Sequence, residues 1–248
     1  MWWMRSNFPS ARLRPDQAHP AHRLAHTFPL IHSQYTPPHD DGLDLIYQDE
    51  SVLVVNKPAG LLAVPGRGAD KQDSMASRVQ REFPDALIVH RLDMATSGLL
   101  LFARGAEMQR RLSQMFRDRL VEKRYVARVA GRVECASGTV ELPLNADWPN
   151  RPRQKVDNEA GRNSLTRYSL LDNDDSTDSS RVELEPVTGR THQLRVHMAA
   201  IGHPILGDTL YGGEAAGRSE RLLLHARLLR FAHPLGAQAL TLECEPPF

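Results

Sequence analysis

Thiols are scarce in this chain: two cysteines, Cys135 and Cys244, among 248 residues. Neither has a second thiol nearby in sequence, so nothing beyond one bridge is possible, and a reducing, cytoplasmic compartment fits best. Long apolar runs are also missing, and no stretch approaches the roughly 18 residues of a membrane helix. The start, Met1-Trp2-Trp3-Met4-Arg5, lacks the apolar core and cleavage site of a secretory signal. Gly66-Arg67-Gly68 has no third glycine for a dinucleotide fingerprint, and no Gly-Lys pair opens a phosphate loop. His192 and His197 lie five apart without an intervening Glu, unlike a helical zinc pair. Ser97-Gly98 lacks the flanking glycine of a nucleophile elbow. The expectation is a protein with no cofactor and no metal.

What is present is globular composition, 41% hydrophobic and 25% charged, in a length that can bury a substantial core. Net charge is only +1, so any polyanion surface must come from local segregation of charge. The cations are lopsided, 27 Arg against 4 Lys; arginine suits phosphate and base stacking, but a GC-rich genome yields the same bias.

Residues 1–42 hold six Pro and five His without a sustained apolar period, and read as a flexible leader ahead of one domain at 43–248. Ser51 to Asn56 reads as a buried strand ended by the turn Lys57-Pro58-Ala59-Gly60, and Asp73 to Phe83 as a helix that Ser74 can cap. Leu99 to Ala103 is a second buried strand. Glu107 to Arg119 is a helix with Met108, Leu112, Met115 and Phe116 on one face. Tyr125 to Val129 alternates as a half-buried strand. Leu165 to Leu171 and Arg181 to Val187 are two more, joined by an acidic loop at 172–180. A helix at 191–200 and strands at 222–231 and 239–245 complete an α+β pattern, favoured over a parallel α/β repeat.

From Arg104 to Arg132 nine basic residues stand against three acidic ones, so charge is segregated after all. Just before that stretch, His90 to Gly98 (HRLDMATSG) is a polar loop between the apolar stretches 86–89 and 99–102. The residues alone leave two readings: a surface turn in which Asp93 caps Thr96 or Ser97, or a reactive carboxylate held by rigid strands.

HRLDMATSG resembles the signature of the RluA-type family of RNA pseudouridine synthases. In order along the chain, VVNKPAGLLAVPG, EKRYVARV, ELPLNADWPNRPRQK, GRTHQLRVHMAAIGHPILGD and LLLHARLL are similar to the same family, covering roughly residues 45–245. The resemblance implies the pseudouridine synthase fold: a mixed, mostly antiparallel, bent sheet flanked by helices, with a central active-site cleft. Some relatives carry an N-terminal S4 domain, which residues 1–42 are too short and aperiodic to form.

By the same resemblance, the chain isomerises uridine in RNA, in a tRNA anticodon loop and in a similar hairpin of 23S rRNA, as a monomer. Asp93 is its catalytic carboxylate, acting as nucleophile or base, and Arg195 the cation that keeps it ionised. Tyr125 stacks on uracil or takes the C5 proton, and Arg91 fills the space of a flipped base. His90, Leu194, His192, Arg190, Arg67, Lys123, Arg124, Arg151, Arg153 and Lys155 are expected RNA-side residues, while Trp148 fits either stacking or core. The rivals are a catalytically silent RNA-binding module on the same scaffold, and a small-molecule hydrolase using Asp93 with His90 or His192.

Overall fold

The computed structural model describes residues 35–236 and 238–248, with the backbone of a three-residue strand, β1 (Ala11–Leu13). The rest of the expected leader before Tyr35 lies outside the described residues. Its last part is packed. The Tyr35 hydroxyl donates to the Asp73 carbonyl and accepts the Leu62 N–H, both at 3.0 Å. Arg78 donates to the carbonyls of Pro38 (2.6 Å) and His39 (3.2 Å). Residues 35–42, expected to belong to the leader, thus make contacts with the domain.

Eleven strands form one sheet. Its first half holds β2 (Leu45–Gln48), β3 (Val52–Lys57), β4 (Ala86–Ile88) and β5 (Ser97–Arg104). Its second half holds β6 (Glu122–Ala130), β7 (Ser137–Glu141), β10 (Leu165–Asp174) and β11 (Ser179–Pro186), with β1 parallel on the β7 edge. Between the halves runs β12 (Leu224–Ala232), which also carries β13 (Ala239–Glu243). A separate two-stranded arm pairs β8 (Leu144–Ala146) with β9 (Gln154–Val156). Apart from β1–β7 and β5–β12, the pairings are antiparallel.

The β5–β12 contact positions everything else. It joins only His225 to Ser97 and Ala226 to Gly98, after which a bulge at Ala226/Leu228 sends β12 toward β13 and the halves diverge. Gly98 has φ +110°, and a Cβ there would lie 2.4 Å from the Ala226 carbonyl oxygen. Only glycine permits both that backbone and that approach.

Each half has its own helices. Helix α1 (Met75–Glu82) starts at Ser74, whose hydroxyl accepts the Ser77 N–H while Ser77 answers to the Ser74 N–H, a reciprocal cap. It covers one face of β3 and β5 (Leu53, Val55, Leu100, Phe102). Helix α2 (Gly105–Arg117) presents Met108 and Leu112, with Met115 and Phe116, to the other face (Val52, Val54, Leu99, Leu101). That two-sided burial explains why β3 and β5 read as unbroken apolar runs. Helix α3 (Gln193–Ala200) packs Leu194 and Met198 on Ala127, Val129, Val182 and Leu184.

The β10–β11 hairpin is longer than expected. The strands run to Asp174 and resume at Ser179, leaving only 175–178 as a tip. Arg128 pairs with Asp174 (3.2 Å) and Arg132 with Asp175 (2.6 Å), so neighbouring cations allow an acidic segment to continue the ladder.

Three core histidines make the fold acid-sensitive. Burial pushes His90 down to about 3 and His197 and His225 down to about 4. In the unfolded chain they take up protons near the ordinary value of 6.5, whereas the native state takes them up only at those lower values. Their contribution is therefore fully present above about pH 6.5 and is lost as pH falls toward about 4, at up to about 1.4 kcal/mol per pH unit for each histidine. Urea midpoints measured from pH 7 downward should hold to about pH 6.5 and drop below it. A flat profile to pH 4.5 would refute this.

Candidate active site

The loop carrying Asp93 leads into β5 at the point where the sheet divides. It is held from below by Lys57, fully buried at the end of β3, whose Nζ donates to the carbonyls of Pro58 (2.7 Å), Leu61 (2.7 Å) and Met94 (3.1 Å). The Gly60 N–H donates to the same Met94 carbonyl at 2.8 Å. Burial pushes the Lys57 amine down to about 7, against the opposing pull of the Asp93 charge. The Asp93 side chain does not cap its own turn; its main-chain carbonyl accepts the Thr96 N–H instead, at 3.1 Å.

The carboxylate turns across the cleft to the second half. Arg195 Nη1 is 3.4 Å from Asp93 Oδ2, and His192 Nε2 is 3.8 Å from the same oxygen. Among the described residues Oδ1 has no hydrogen-bond partner, so one oxygen is held and one is open. Arg195 is not a helix-surface residue. It is buried, and its Nε and Nη2 donate to Asp208 Oδ2 (2.8 Å) and Oδ1 (2.7 Å) in a two-pronged pair. Asp208 is 1% exposed, and its Oδ1 also accepts the N–H groups of Leu210 (2.9 Å) and Tyr211 (3.1 Å). Burial disfavours the charged guanidinium, yet Asp208 and then Asp93 hold its pKa above the ordinary value.

Tyr125, on β6, packs against the cores of both halves and faces the same cleft. Burial, with the Asp93 charge behind it, raises its phenol pKa, so the ring stays neutral. Leu194 is buried behind the site. Arg91 is exposed two residues before Asp93 and has no ion-pair or hydrogen-bond partner among the described residues.

The other expected RNA-side residues divide. Arg67 is exposed in the 58–72 loop, Arg190 in the turn before α3, and Arg151, Arg153 and Lys155 on the β8–β9 arm. Trp148 belongs to that arm too, 66% exposed with the Arg151 guanidinium 3.3 Å from its ring centroid, so it is no core residue. Lys123 is half-buried over the Phe116 ring, and burial lowers its pKa.

Two expectations need correction. His90 sits behind the loop, stacked on Phe116 at 4.6 Å, and its Nε2 accepts the Leu101 N–H at 3.0 Å. Held uncharged by burial, it pins the loop to β5, a structural part that the RNA-side expectation left out. Arg124 alternates with Tyr125 along β6 and so points to the opposite sheet face. There it pairs with Glu122 (3.0 Å), Glu183 (3.3 Å) and Glu185 (3.6 Å) within a charge ladder that Arg227 and Arg230 extend. Lys57, Asp208 and Tyr211, by contrast, were not among the expected site residues.

Such a site can perform carboxylate chemistry on a polyanion: a half-buried Asp fixed by a buried cation, an aromatic ring beside it, and exposed arginines around it. Comparison with known proteins narrows the class. Residues 51–200 match the family model for RNA pseudouridylate synthase. The chain is 48% identical over 215 residues to the dual-specificity RNA pseudouridine synthase RluA of Escherichia coli strain K12, covering 86% of this chain and 98% of the relative. It is 52% identical over 203 residues to the protein of that name from Vibrio cholerae, covering 82% of each. A solved human structure, RNA pseudouridylate synthase domain containing 1, superposes with a TM-score of 0.72 at 29% identity, over 86% of this chain and 87% of that one. The chain belongs to the RNA pseudouridylate synthase family, isomerases that convert uridine to pseudouridine.

Proposed function

We propose that this protein acts as a cytoplasmic monomer that isomerises a uridine of a tRNA anticodon stem-loop, and a second uridine in a 23S rRNA hairpin. The observation that carries the reading is the meeting of Asp93, Arg195 and Tyr125 where the two halves of the sheet part. The double target is supported by the near full-length similarity to enzymes named dual-specificity.

The reaction breaks the bond between uracil N1 and ribose C1′, turns the base, joins C5 to C1′ and removes the C5 proton, with no net redox change. Ionised Asp93, with Oδ2 held by Arg195, offers Oδ1 to the nucleotide as nucleophile or as base. Tyr125 lies against the uracil as a neutral ring. A stacked uridine must first leave its helix, at about a few kcal/mol, and Arg91 occupies the vacated place. Arg67, Arg151, Arg153, Lys155 and Arg190 hold phosphates on the flanks, each steepening the salt dependence of binding.

Tritium release from C5-tritiated uridine tests this directly, using an anticodon stem-loop and a 23S hairpin transcript. Release from both is expected. Release from one alone would remove the second target, and tight binding with release from neither would favour the silent RNA-binding module.

A further inference from the structure

Tyr211 lies three residues after Asp208, in the turn that the Asp208 carboxylate closes. Its phenol oxygen accepts the main-chain N–H of Gln154, on β9, at 2.7 Å, and stands 2.7 Å from His192 Nδ1. The ring is flanked by the guanidinium groups of Arg195 (5.2 Å) and Arg153 (5.5 Å). His192 itself has left-handed backbone, φ 53° and ψ 17°, at the start of α3, a conformation that few non-glycine residues adopt. Its Nε2 points at Asp93.

These contacts favour one proton arrangement. Burial raises the Tyr211 pKa, so the phenol keeps its single proton. Burial, with Arg195 opposing the pull of Asp93 and Asp208, lowers the His192 pKa, so the ring is neutral and carries a proton on one nitrogen only. If that proton sat on Nδ1, it and the Gln154 N–H would both point at the phenol oxygen, leaving the phenolic proton without an acceptor among the described residues. It would also aim the Nε2 lone pair at the Asp93 carboxylate, a repulsive arrangement. With the proton on Nε2, the phenol donates to Nδ1 and the imidazole N–H faces Oδ2.

We propose that Tyr211 is a positioning residue that selects the Nε2–H tautomer of His192, giving Asp93 an uncharged N–H donor beside the charged one from Arg195. The inference deepens the reading above and rests on it for the reaction assayed. Two donors on Oδ2 fix the carboxylate plane and leave Oδ1 for the nucleotide. The separation of 3.8 Å exceeds a direct hydrogen bond and closes when the nucleotide fills the cleft, as catalytic contacts commonly do. Through Gln154 the same phenol secures the basic arm against the site.

The first test needs no substrate. Nitrogen-15 spectra of the full-length protein with labelled histidine report which ring nitrogen of His192 bears the proton. The Nε2–H form is expected in the parent, and a mixture of tautomers in Tyr211→Phe, which keeps the ring between the two arginines but cannot donate. A parent His192 in the Nδ1–H form, or doubly protonated near pH 7, would overturn the proposal even in a fully active enzyme. An inactive enzyme with the Nε2–H form would instead count against the functional reading alone.

The second test is kinetic. Tyr211→Phe should lower kcat about tenfold, the rate equivalent of one hydrogen bond, while loss of the Gln154 contact on the arm appears separately in KM for the stem-loop. His192→Gln replaces the ring with an amide whose N–H reaches the Nε2 position and has no tautomer to select. Whatever kcat that variant retains, adding Tyr211→Phe should not reduce it further. Multiplicative losses in the double variant would mean that Tyr211 acts through the fold and not through His192.

Discussion

Asp93→Asn should lower the rate of pseudouridine formation by about 10³-fold or more, within the range that loss of a positioned acid–base or nucleophilic group costs. The amide has the same shape but neither attacks carbon nor accepts a proton at neutral pH. Three features predict that the damage stays local. Arg195 keeps its two-pronged bond to Asp208, so the buried guanidinium stays paired. The loop is held by Lys57 and Gly60 through main-chain carbonyls that the substitution does not touch. The Asp93 side chain is 28% exposed, so its change of charge alters stability by about 1 kcal/mol or less. RNA affinity should hold or rise slightly, because a negative charge has been removed from a phosphate-binding cleft. Tritium release and filter binding on one stem-loop preparation check both halves. Substantial residual release would move the chemistry to another group, and a parallel loss of binding would make Asp93 part of the recognition surface.

How much of this was legible in sequence can be traced through individual residues. Helices α1 and α2 were, because Ser74 announces a cap and Met108, Leu112, Met115 and Phe116 keep the helical period. Strands β3 and β5 were, because burial on both faces leaves long apolar runs. Strands β7, β8 and β9 were not, since three to five residues, with Pro143, Pro149 and Pro152 between them, are too few for alternation to stand out from a turn. The reach of β10 into the acidic segment depends on Arg128 and Arg132, more than forty positions away. Arg124 was a local signal misread, because alternation on β6 already placed it opposite Tyr125. Motif resemblance singled out Asp93, Arg195 and Tyr125, but it did not say what holds them. Lys57 read as the first residue of a turn, and Asp208 stood only as the last residue of the GRTHQLRVHMAAIGHPILGD motif. Their importance arises from burial, which is a property of the folded neighbourhood.

Asp208→Ala is expected to be among the most destabilising single changes in the domain. Arg195 is 4% exposed and Asp208 1%, and each is the other's closest charge. Removing the carboxylate leaves a guanidinium out of water with only Asp93 at 3.4 Å to balance it, and it frees the N–H groups of Leu210 and Tyr211. Breaking a buried pair from one side costs about 3–5 kcal/mol, which for a chain of this size lowers the melting temperature by roughly 10 °C. Activity should fall as well, since Arg195 would swing toward Asp93 and Tyr211 would lose its turn. The double replacement Arg195→Met with Asp208→Leu separates the two effects. With neither charge buried, stability should recover most of the way to the parent, while turnover stays absent because Asp93 has lost its cation. Urea denaturation of the parent and the two variants, with tritium release measured alongside, decides it. If the double variant is as unstable as Asp208→Ala, the pair matters for packing and turn geometry, and the argument from an orphaned charge fails.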